Sequence, residues 1–421
     1  MSPATWYHAT TPAPPAFPPL DGDVRADVCI VGAGLTGLGA ALALAGRGVR
    51  VVMLEAASVG LGASGRNGGQ VHSGQRRDQF WLESRLGRDD AMALWRMAED
   101  AKADLHRLMA AHGIDCHWRP GLIEAEHKPR HVEAARLHVE AMGERYGYDG
   151  LEFLDREALR ALVASPDYHG GAIDRGAGHL DPLKLVRGLA RAAAAAGVAL
   201  HEDTPVTQLA PGAPARVSTP RGAVTADHVI LAGDALMTGL APEIDRRTLP
   251  IASTVAVTEP LGARLRAILT SDAAVSDSRF VVNYFRPTPD GRLLFGGGES
   301  YSTRPVADPG RLVRAAMSRV LPQLADVRFE HAWSGLVGIT RSRLPVVRRL
   351  APGISAAAGY SGHGLALAPY FGRLLGEAVA ARPAALDVLE RLPVPAFPGG
   401  PALRRPLLWA AMTWYALRDR L

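Results

Sequence analysis

The sequence predicts an α/β fold in which a discontinuous Rossmann-like nucleotide-binding domain is interrupted by a second, α+β domain that contains an antiparallel sheet. Three observations lead to this prediction. Strand, small-residue helix and strand follow one another over residues 26–55, and the same texture returns near residue 178 and again near residue 354. Between residues 250 and 340 the pattern is rich in strands instead. Because alternating strands and helices form parallel sheets, the interruptions are expected to build the second domain.

Length and composition favour a globular protein of two domains over a nucleic-acid-binding protein. The chain has 421 residues, of which 48% are hydrophobic and 21% charged, and chains of this length usually divide into domains. The net charge is +5, but the basic residues are almost all arginines spread among acids. No basic run is interleaved with aromatic residues, so no nucleic-acid partner is expected.

The cysteines and the apolar segments exclude further classes. Cys29 and Cys116 do not suggest a disulfide framework, and metal-ligand spacing is absent, so no metal site is predicted. The proline-rich N-terminus lacks the charged start and apolar run of a signal peptide. No apolar stretch reaches the roughly 20 residues of a membrane span. The sequence therefore predicts a cytoplasmic protein.

The first strand–helix–strand unit carries a glycine fingerprint. Gly32, Gly34 and Gly37 form G-x-G-x-x-G between the strand ADVCIVGAG and the helix LTGLGAALALAGRG. These glycines permit a tight turn, close approach to a pyrophosphate, and packing of helix on strand, while the helix N-terminus favours phosphate. Glu55 ends the second strand, where it can accept hydrogen bonds from ribose hydroxyls and repel a 2′-phosphate. The unit predicts a bound dinucleotide, FAD or NAD rather than NADP.

Periodicity predicts the remaining elements in outline. Apolar residues at three- and four-residue spacing predict helices over 88–112 and 130–147. The run DPLKLVRGLARAAAAAGVAL predicts an amphipathic helix, followed by strands in HEDTPVTQL and VTADHVILAGD. FVVNYFRPTPDGRLLFGGG predicts a hairpin that turns at Asp290-Gly291. GISAAAGYSGHGLALAPYFGRLLGEAVAA predicts a strand, a glycine turn and a helix.

The glycine-rich stretch GASGRNGGQ, residues 62–70, contains nothing that builds a core. Together with DVCIVGAGLTGL, AGHLDPLKLVRGLARAA, HVILAGDAL, HAWSGLVGITRSRLP and GYSGHGLALAP, it resembles the D-amino-acid oxidase-like family of FAD-dependent oxidoreductases. GASGRNGGQ is especially similar to the γ-glutamylputrescine oxidoreductase branch. The resemblance runs nearly end to end. It implies a FAD-binding domain of residues 1–86, 177–236 and 341–421, and a substrate domain of residues 87–176 and 237–340.

The resemblance also implies where FAD lies. Its adenosine half is expected on residues 32–55, and residues 64–70 beside the pyrophosphate, ribityl chain and flavin. The turn at 362–364 is expected under the pyrimidine edge, where a helix N-terminus stabilises the negative charge of reduced flavin. The expected cofactor-binding residues are Gly32, Gly34, Leu35, Thr36, Gly37, Glu55, Ala56, Ala63, Ser64, Arg66, Asn67, Gly68, Gly69, Gln70, Val206, Gly233, Gly362, His363, Gly364 and Leu365.

The resemblance further implies that FAD is held without a covalent bond. No cysteine follows Cys116, and Asn67 stands where some related dehydrogenases carry a linking histidine; His72 is the less favoured attachment point. Hydride is expected to pass from the carbon next to an amine nitrogen to flavin N5, giving an imine that water hydrolyses. This chemistry requires no dedicated acid or base, and none is assigned.

The candidates for the substrate side of the flavin are Tyr284, Arg286, Trp333, Tyr360 and His363. Tyr284 and Arg286 share a face of the predicted strand, although an ordinary surface arginine is at least as good an interpretation of Arg286. Trp333 and Tyr360 can supply aromatic walls, but a core position is the stronger interpretation for Trp333. His363 lies in the turn expected under the flavin.

Two positions separate this chain from glycine-oxidase-like members, which carry arginines that grip the substrate carboxylate. This chain has Val337 after W-x-G-L and Gly362 in the C-terminal turn, so an α-carboxylate would lose a bidentate partner at both places. γ-Glutamylputrescine or a similar polyamine-derived amine is therefore the expected substrate. A secondary amino acid (pipecolate, proline or sarcosine) is one alternative, and a flavin-binding subunit without turnover of its own is another. Arg341 and Arg343 are expected in a solvated loop, with substrate contact as the alternative.

The electron acceptor stays open between oxygen and a quinone or carrier. Sarcosine-oxidase-like relatives use a lysine beside the flavin, whereas all three lysines here lie in predicted helices, outside the later segments expected at the flavin: Lys102, Lys128 and Lys184. A C-terminal helix is expected to pack on the body of the protein rather than touch a membrane surface, and it carries Trp409, Trp414 and Tyr415.

Overall fold

The structure, a computed structural model, describes residues 5–13, 16–237, 239–300, 306–381 and 383–399. Its strands are β1 Val24–Val31, β2 Val51–Leu54, β3 Gln70–Val71, β4 Arg119–Ala125, β5 Leu151–Leu154, β6 Gly171–His179, β7 Ala199–His201, β8 Gln208–Ala210, β9 Ala215–Thr219, β10 Gly222–Leu231, β11 Leu249–Thr258, β12 Ala274–Asp277, β13 Tyr284–Pro287, β14 Leu293–Ser300, β15 Phe329–Ile339, β16 Val346–Ala351 and β17 Ile354–Ala358.

The helices are distributed along the same chain. They are α1 Trp6–Thr10, α2 Leu35–Ala45, α3 Ala63–Arg66, α4 Gln79–Leu86, α5 Arg88–Ala111, α6 Pro129–Tyr146, α7 Arg156–Leu162, α8 Pro182–Ala195, α9 Pro242–Asp245, α10 Ala263–Ile268, α11 Pro309–Val320, α12 Gly364–Glu377 and α13 Ala385–Arg391. Among the described residues, no helix is long and apolar enough to cross a membrane. The C-terminal helix expected to carry Trp409, Trp414 and Tyr415 falls outside the described residues.

The first sheet is the Rossmann-like one. In the described chain its order is β16-β17-β10-β1-β2-β7, with β9 paired to β10 and β8 paired to β9. β1 has parallel neighbours on both sides, with Val28 in register with Val51 of β2 and Val24 with Val224 of β10. Residues 28–31 of β1 are fully buried, as expected of a central parallel strand. The predicted fold class is confirmed.

Helices α2 and α12 pack backbone to backbone beside this sheet. A Cβ atom on Gly39 would lie 2.1 Å from the Pro369 carbonyl oxygen, and one on Gly372 would lie 1.9 Å from the Thr36 carbonyl oxygen. Only glycine allows this approach. Near their N-terminal ends, the Tyr360 and Thr36 hydroxyls lie 2.7 Å apart. The two helix starts are therefore neighbours, although more than 300 residues separate them in the chain.

The second sheet is mostly antiparallel and is built from the interruptions. Its order in the described residues is β15-β11-β14-β13-β12-β4-β6-β3, with β5 paired to β6. The predicted hairpin is β13 and β14, which pair antiparallel with Tyr284 opposite Gly296. Gly291 makes the turn at a φ of 76°. The domain boundaries derived from the sequence stay a prediction.

Periodicity located the long helices well but overextended one strand. α5, α6 and α8 occupy the predicted helical stretches to within a few residues. In HEDTPVTQL, however, only the ends are strand, as β7 and β8. The residues between them hold other segments instead: Glu202 accepts hydrogen bonds from the Val59 and Phe17 backbone, and Thr204 accepts one from Leu20.

Candidate active site

A cavity of about 820 Å³ lies among residues of both sheets and the starts of α2 and α12. This is at the upper end of the range of about 300–1,000 Å³ typical of ligand sites. All of the expected cofactor-binding residues line it except Gly37 and Gly69. The two domains therefore enclose one space, to which segments distant in the sequence contribute.

The glycine fingerprint forms one end of the cavity. Gly32 has a φ of 102°, and a Cβ on it would lie 2.9 Å from the Ala232 carbonyl oxygen. A Cβ on Gly34 would lie 2.9 Å from Ser64 Oγ, which accepts a hydrogen bond from the backbone at the start of α2. Gly37 lies behind the wall, where its Cβ would meet the Gly32 carbonyl oxygen at 2.0 Å. The first two glycines shape the cavity surface, and the third permits helix packing.

Glu55 lies beside this fingerprint at the end of β2. Its two carboxylate oxygens accept hydrogen bonds from the backbone N–H groups of Ala33 and Ala57, at 2.9 and 3.1 Å. Burial raises the pKa of this carboxyl, and the two backbone donors oppose that rise. The carboxylate is thereby fixed in a cavity wall, as a ribose acceptor requires.

The loop of residues 62–70 is held from behind by residues distant in the sequence. Tyr7 donates its hydroxyl to the Asn67 carbonyl oxygen at 2.8 Å, and the Trp333 indole donates to the Arg66 carbonyl oxygen at 2.9 Å. The Asn67 side chain accepts a hydrogen bond from Gly69 N–H at 2.8 Å. Backbone and side-chain groups of the loop are thus fixed before any ligand binds.

The structure gives Arg286 a position that the sequence did not indicate. Arg286 is neither a surface residue nor part of the cavity wall, because only 2% of it is exposed. Its Nε donates to the Gly68 carbonyl oxygen at 2.7 Å and its NH2 to the Tyr7 hydroxyl at 3.0 Å. Trp333 is fully buried in the core, also outside the wall. Both residues support the loop from behind.

The other three substrate-side candidates do line the cavity. The Tyr284 ring packs so closely on the loop that a Cβ on Gly68 would lie 2.3 Å from Tyr284 Cε2. The Tyr360 hydroxyl is hydrogen-bonded to the Thr36 hydroxyl, and the Tyr360 side chain is mostly buried. Burial lowers the pKa of His363 well below its usual range, so its imidazole is neutral. Its Nε2 is buried and finds no hydrogen-bond partner among the described residues.

A histidine pair and an acidic strand form the other side of the cavity. The His72 and His363 rings lie 4.6 Å apart between centroids, and His72 Nδ1 lies 3.9 Å from Glu124 Oε1. Glu124 and Glu126 alternate along the extended chain of β4 and the residue after it, so both face the cavity. Burial raises the pKa of Glu126 to about 7, whereas contact with His72 lowers the pKa of Glu124 despite desolvation.

Sequence reasoning missed these acids and one lysine. The signal for the acids was the alternation of apolar and acidic residues in LIEAE, residues 122–126. Lys102 lies inside α5 as predicted, yet its Nζ donates to Ser73 Oγ at 2.5 Å and pairs with Glu99 at 3.0 Å. Ser73 lines the cavity, so this lysine lies one residue behind the wall. Lys128 caps α6 rather than lying within it.

The two arginines of the loop after β15 have different positions. Arg343 lines the cavity, with its guanidinium 5.1 Å from the Phe280 ring centroid. Arg341 is exposed and donates to the Ala396 carbonyl oxygen. No group of residues that could hold a metal ion occurs in the described chain. Cys29 and Cys116 are buried free thiols.

The sequence matches a known family across most of its length. Residues 27–378 match the family described as FAD dependent oxidoreductase. The chain belongs to this family. It is 44% identical over 417 residues to "Probable oxidoreductase OrdL" of Rhizobium meliloti, covering 99% of this chain and 97% of that protein. It is 37% identical over 420 residues to gamma-glutamylputrescine oxidoreductase of Escherichia coli, covering 99% and 98%.

Solved structures of the FAD dependent oxidoreductase fold superpose on the chain. Glycine oxidase from Geobacillus kaustophilus has a TM-score of 0.71 at 23% identity and covers 86% of this chain and 96% of its own. L-Proline dehydrogenase from P. horikoshii has a TM-score of 0.72 at 19% identity and covers 89% and 96%. At these identities the likeness establishes the fold, and the family match establishes an FAD-dependent oxidoreductase.

The residues present fit FAD. The glycine cradle admits a pyrophosphate, and the fixed Glu55 carboxylate lies where a ribose would follow. The start of α12 ends the cavity, with the buried and unpartnered Nε2 of His363 beside it. A helix start at that place supplies positive charge to a reduced flavin. This flavin-binding end and the acidic face of β4 are parts of the same cavity.

Proposed function

We propose that this enzyme oxidises a polyamine-derived amine such as γ-glutamylputrescine. Hydride leaves the carbon next to the amine nitrogen, and the resulting imine is hydrolysed by water. The observation that carries the proposal is the charge of the substrate side. Val337 and Gly362 line the cavity at the two positions where a carboxylate-gripping arginine was considered, while Glu124 faces the same cavity with an ionised carboxylate. The Glu124 carboxylate can pair with a cationic amine, and an α-carboxylate finds no arginine at these two positions.

The engagement of the nearby arginines supports the same choice of substrate. Arg66 donates to the Ser334 carbonyl oxygen at 2.8 Å. Arg279 pairs with Asp277 and Asp167 at 2.5 and 2.6 Å. The two carboxylates hold both terminal nitrogens of Arg279, and a bidentate grip on a substrate carboxylate needs two donors on one arginine. A carboxylate far from the reacting carbon can approach Arg343, which lines the same cavity.

FAD, when bound, supplies the hydride acceptor. The residues of the chain bind the amine, orient its C–H bond and exclude water. Tyr284 and Tyr360 provide rigid walls, because the first ring is wedged against Gly68 and the second is tethered to Thr36. These contacts hold the substrate space to a fixed width beside the loop.

FAD is proposed to be held without a covalent bond. The Asn67 side chain is occupied by hydrogen bonds to the loop backbone, and His72 already contacts His363 and Glu124. Precipitation of the purified protein with acid should release all of the yellow colour into the supernatant. Flavin that stays with the pellet would contradict this proposal.

An anaerobic reduction panel tests the substrate. γ-Glutamylputrescine should bleach the flavin absorbance of the purified holoenzyme faster than pipecolate, proline, sarcosine or glycine at equal concentration. Faster bleaching by a secondary amino acid would replace the proposed substrate with that alternative. Yellow protein that no amine bleaches would indicate a flavin-binding subunit that lacks turnover. Reoxidation of bleached enzyme by air or by a soluble quinone then identifies the acceptor.

A further inference from the structure

An amine that enters the cavity as its ammonium ion must lose a proton before hydride transfer. A primary amine, with a pKa near that of lysine at about 10.4, is an ammonium ion at neutral pH. Hydride can leave the carbon only when the nitrogen lone pair is free to form the imine. We propose that His72, oriented by Glu124, removes this proton from the bound substrate. The inference rests on the proposed function, because it assumes an amine substrate.

The geometry of His72 suits this role. About 15% of its side chain is accessible, and it lines the cavity. Its Nδ1 faces the Glu124 carboxylate at 3.9 Å, which favours the tautomer with the proton on Nδ1 and leaves the Nε2 lone pair as the acceptor. A carboxylate plays the same orienting role beside histidine bases elsewhere. Glu124 also stabilises the imidazolium that forms.

The neighbours of His72 are less suited to accept the proton. His363 is packed against it, with a buried Nε2 and a pKa held down chiefly by burial and further by the positive charge of Arg76. Glu126 faces the same cavity, but its Oε2 is buried 3.5 Å from His131. The remaining charged groups that act on Glu124 are His138, from α6, and Arg76, which also lines the cavity. His72 therefore combines access to the cavity with an orienting carboxylate.

The step balances within the site. One N–H bond of the substrate ammonium breaks, and its electron pair stays on nitrogen. The proton forms a new N–H bond at His72 Nε2, giving an imidazolium beside the Glu124 carboxylate. The neutral amine is then ready to lose hydride to FAD, and the imidazolium returns its proton to water after the product has left. No further oxidant or reductant is needed.

The pH dependence of flavin reduction separates a proton acceptor from a merely structural residue. In stopped-flow reduction by the best amine of the panel at about pH 7, the His72→Gln holoenzyme should be about 100-fold slower than wild type, at the low end of general-base effects. Near pH 10.5, where half of the free amine is already neutral, the difference should shrink to about threefold. A deficit of equal size at both pH values would overturn the proposal, as would a variant as fast as wild type.

Matched variants identify the group responsible. His112→Gln changes an exposed histidine at the end of α5 that does not line the cavity, and it should leave the rate unchanged. Glu124→Gln should slow reduction at neutral pH by about tenfold, because the orienting carboxylate is lost. If Glu126→Gln abolishes the pH dependence while His72→Gln does not, the acceptor is Glu126 and the proposal is wrong.

A spectroscopic readout keeps the inference separate from turnover. tert-Butylamine has no hydrogen on the carbon next to nitrogen, so it can bind without being oxidised. When it saturates ¹⁵N-histidine-labelled holoenzyme, the Nε2 resonance of His72, assigned by its loss in His72→Gln, should shift because this nitrogen accepts a hydrogen bond from the bound ammonium. An Nε2 resonance that does not move in the saturated complex would overturn the proposal. If no amine reduces wild-type enzyme, the proposed function fails, and this measurement still decides whether His72 Nε2 faces the ammonium.

Discussion

The hydroxyl of Tyr7 joins three segments that meet behind the cofactor loop. It donates to the Asn67 carbonyl oxygen at 2.8 Å and accepts from Arg286 NH2 at 3.0 Å, in a fully buried setting. Burial raises the pKa of this phenol, so the hydroxyl stays protonated at any working pH. Tyr7→Phe removes one oxygen and leaves the ring, which makes it a clean test of what holds the loop.

The expected cost follows from the two partners. A buried hydrogen bond between neutral groups contributes about 1 kcal/mol, and one to a charged donor about 1.5–3 kcal/mol. Both the carbonyl and the guanidinium N–H lose a partner in a buried setting. We therefore expect Tyr7→Phe to lower the free energy of unfolding by about 3 kcal/mol. Because Asn67 and Gly68 line the cavity, part of this loss should appear as weaker FAD binding, up to about 100-fold.

Two measurements check this expectation. Urea unfolding of the apoprotein gives the change in stability, and titration of apoprotein with FAD gives the change in dissociation constant. Tyr370→Phe is the matched control, since Tyr370 is also buried but its hydroxyl makes no hydrogen bond within the described residues. If Tyr7→Phe costs no more than Tyr370→Phe in both measurements, the loop is not held by this hydroxyl.

Two further outcomes are expected. Gly68→Ala should abolish FAD retention during gel filtration, because the added Cβ would lie 2.3 Å from Tyr284 Cε2. The control Gly62→Ala should retain FAD, since its Cβ meets only Leu236 at 3.6 Å. Equal retention by the two variants would show that the loop can move. Folding raises the pKa of Glu126 from 4.5 to about 7, so between these pH values the folded state holds a proton that the unfolded chain releases. The contribution of Glu126 to the free energy of unfolding therefore falls as pH rises from about 4.5 to 7. Glu126→Gln should therefore gain about 3 kcal/mol over wild type by pH 7.5 and nothing at pH 4.5 in urea unfolding; a constant difference would contradict the shift.

The glycine-fingerprint end of the cavity could be predicted because its determinants are local. Strand, glycine turn and helix each have a period or a residue type that appears in a short window, and Glu55 closes that window. The predicted residues of the loop at 62–70 line the cavity, apart from Gly69, because the loop begins a few residues after the same unit. The strand predicted through HEDTPVTQL was too long, since Glu202 and Thr204 bind distant backbone that the sequence does not reveal.

The supports of the loop could not be predicted. Arg286 shares a face of β13 with Tyr284, which lines the cavity, and the sequence offers only a surface or a substrate role for it. Its true partners, Gly68 and Tyr7, lie more than 200 residues away. No local pattern encodes a contact of that separation.

The sequence by itself determined the fold class and the family, and it located the glycine-fingerprint half of the cavity, whose residues lie close together in the chain. Only the tertiary structure decided the substrate half. It brought Glu124 from β4 against His72 from the end of β3 and His363 from the start of α12. The order of strands in the second sheet sets these distances, and that order follows from packing across the whole chain rather than from any one segment.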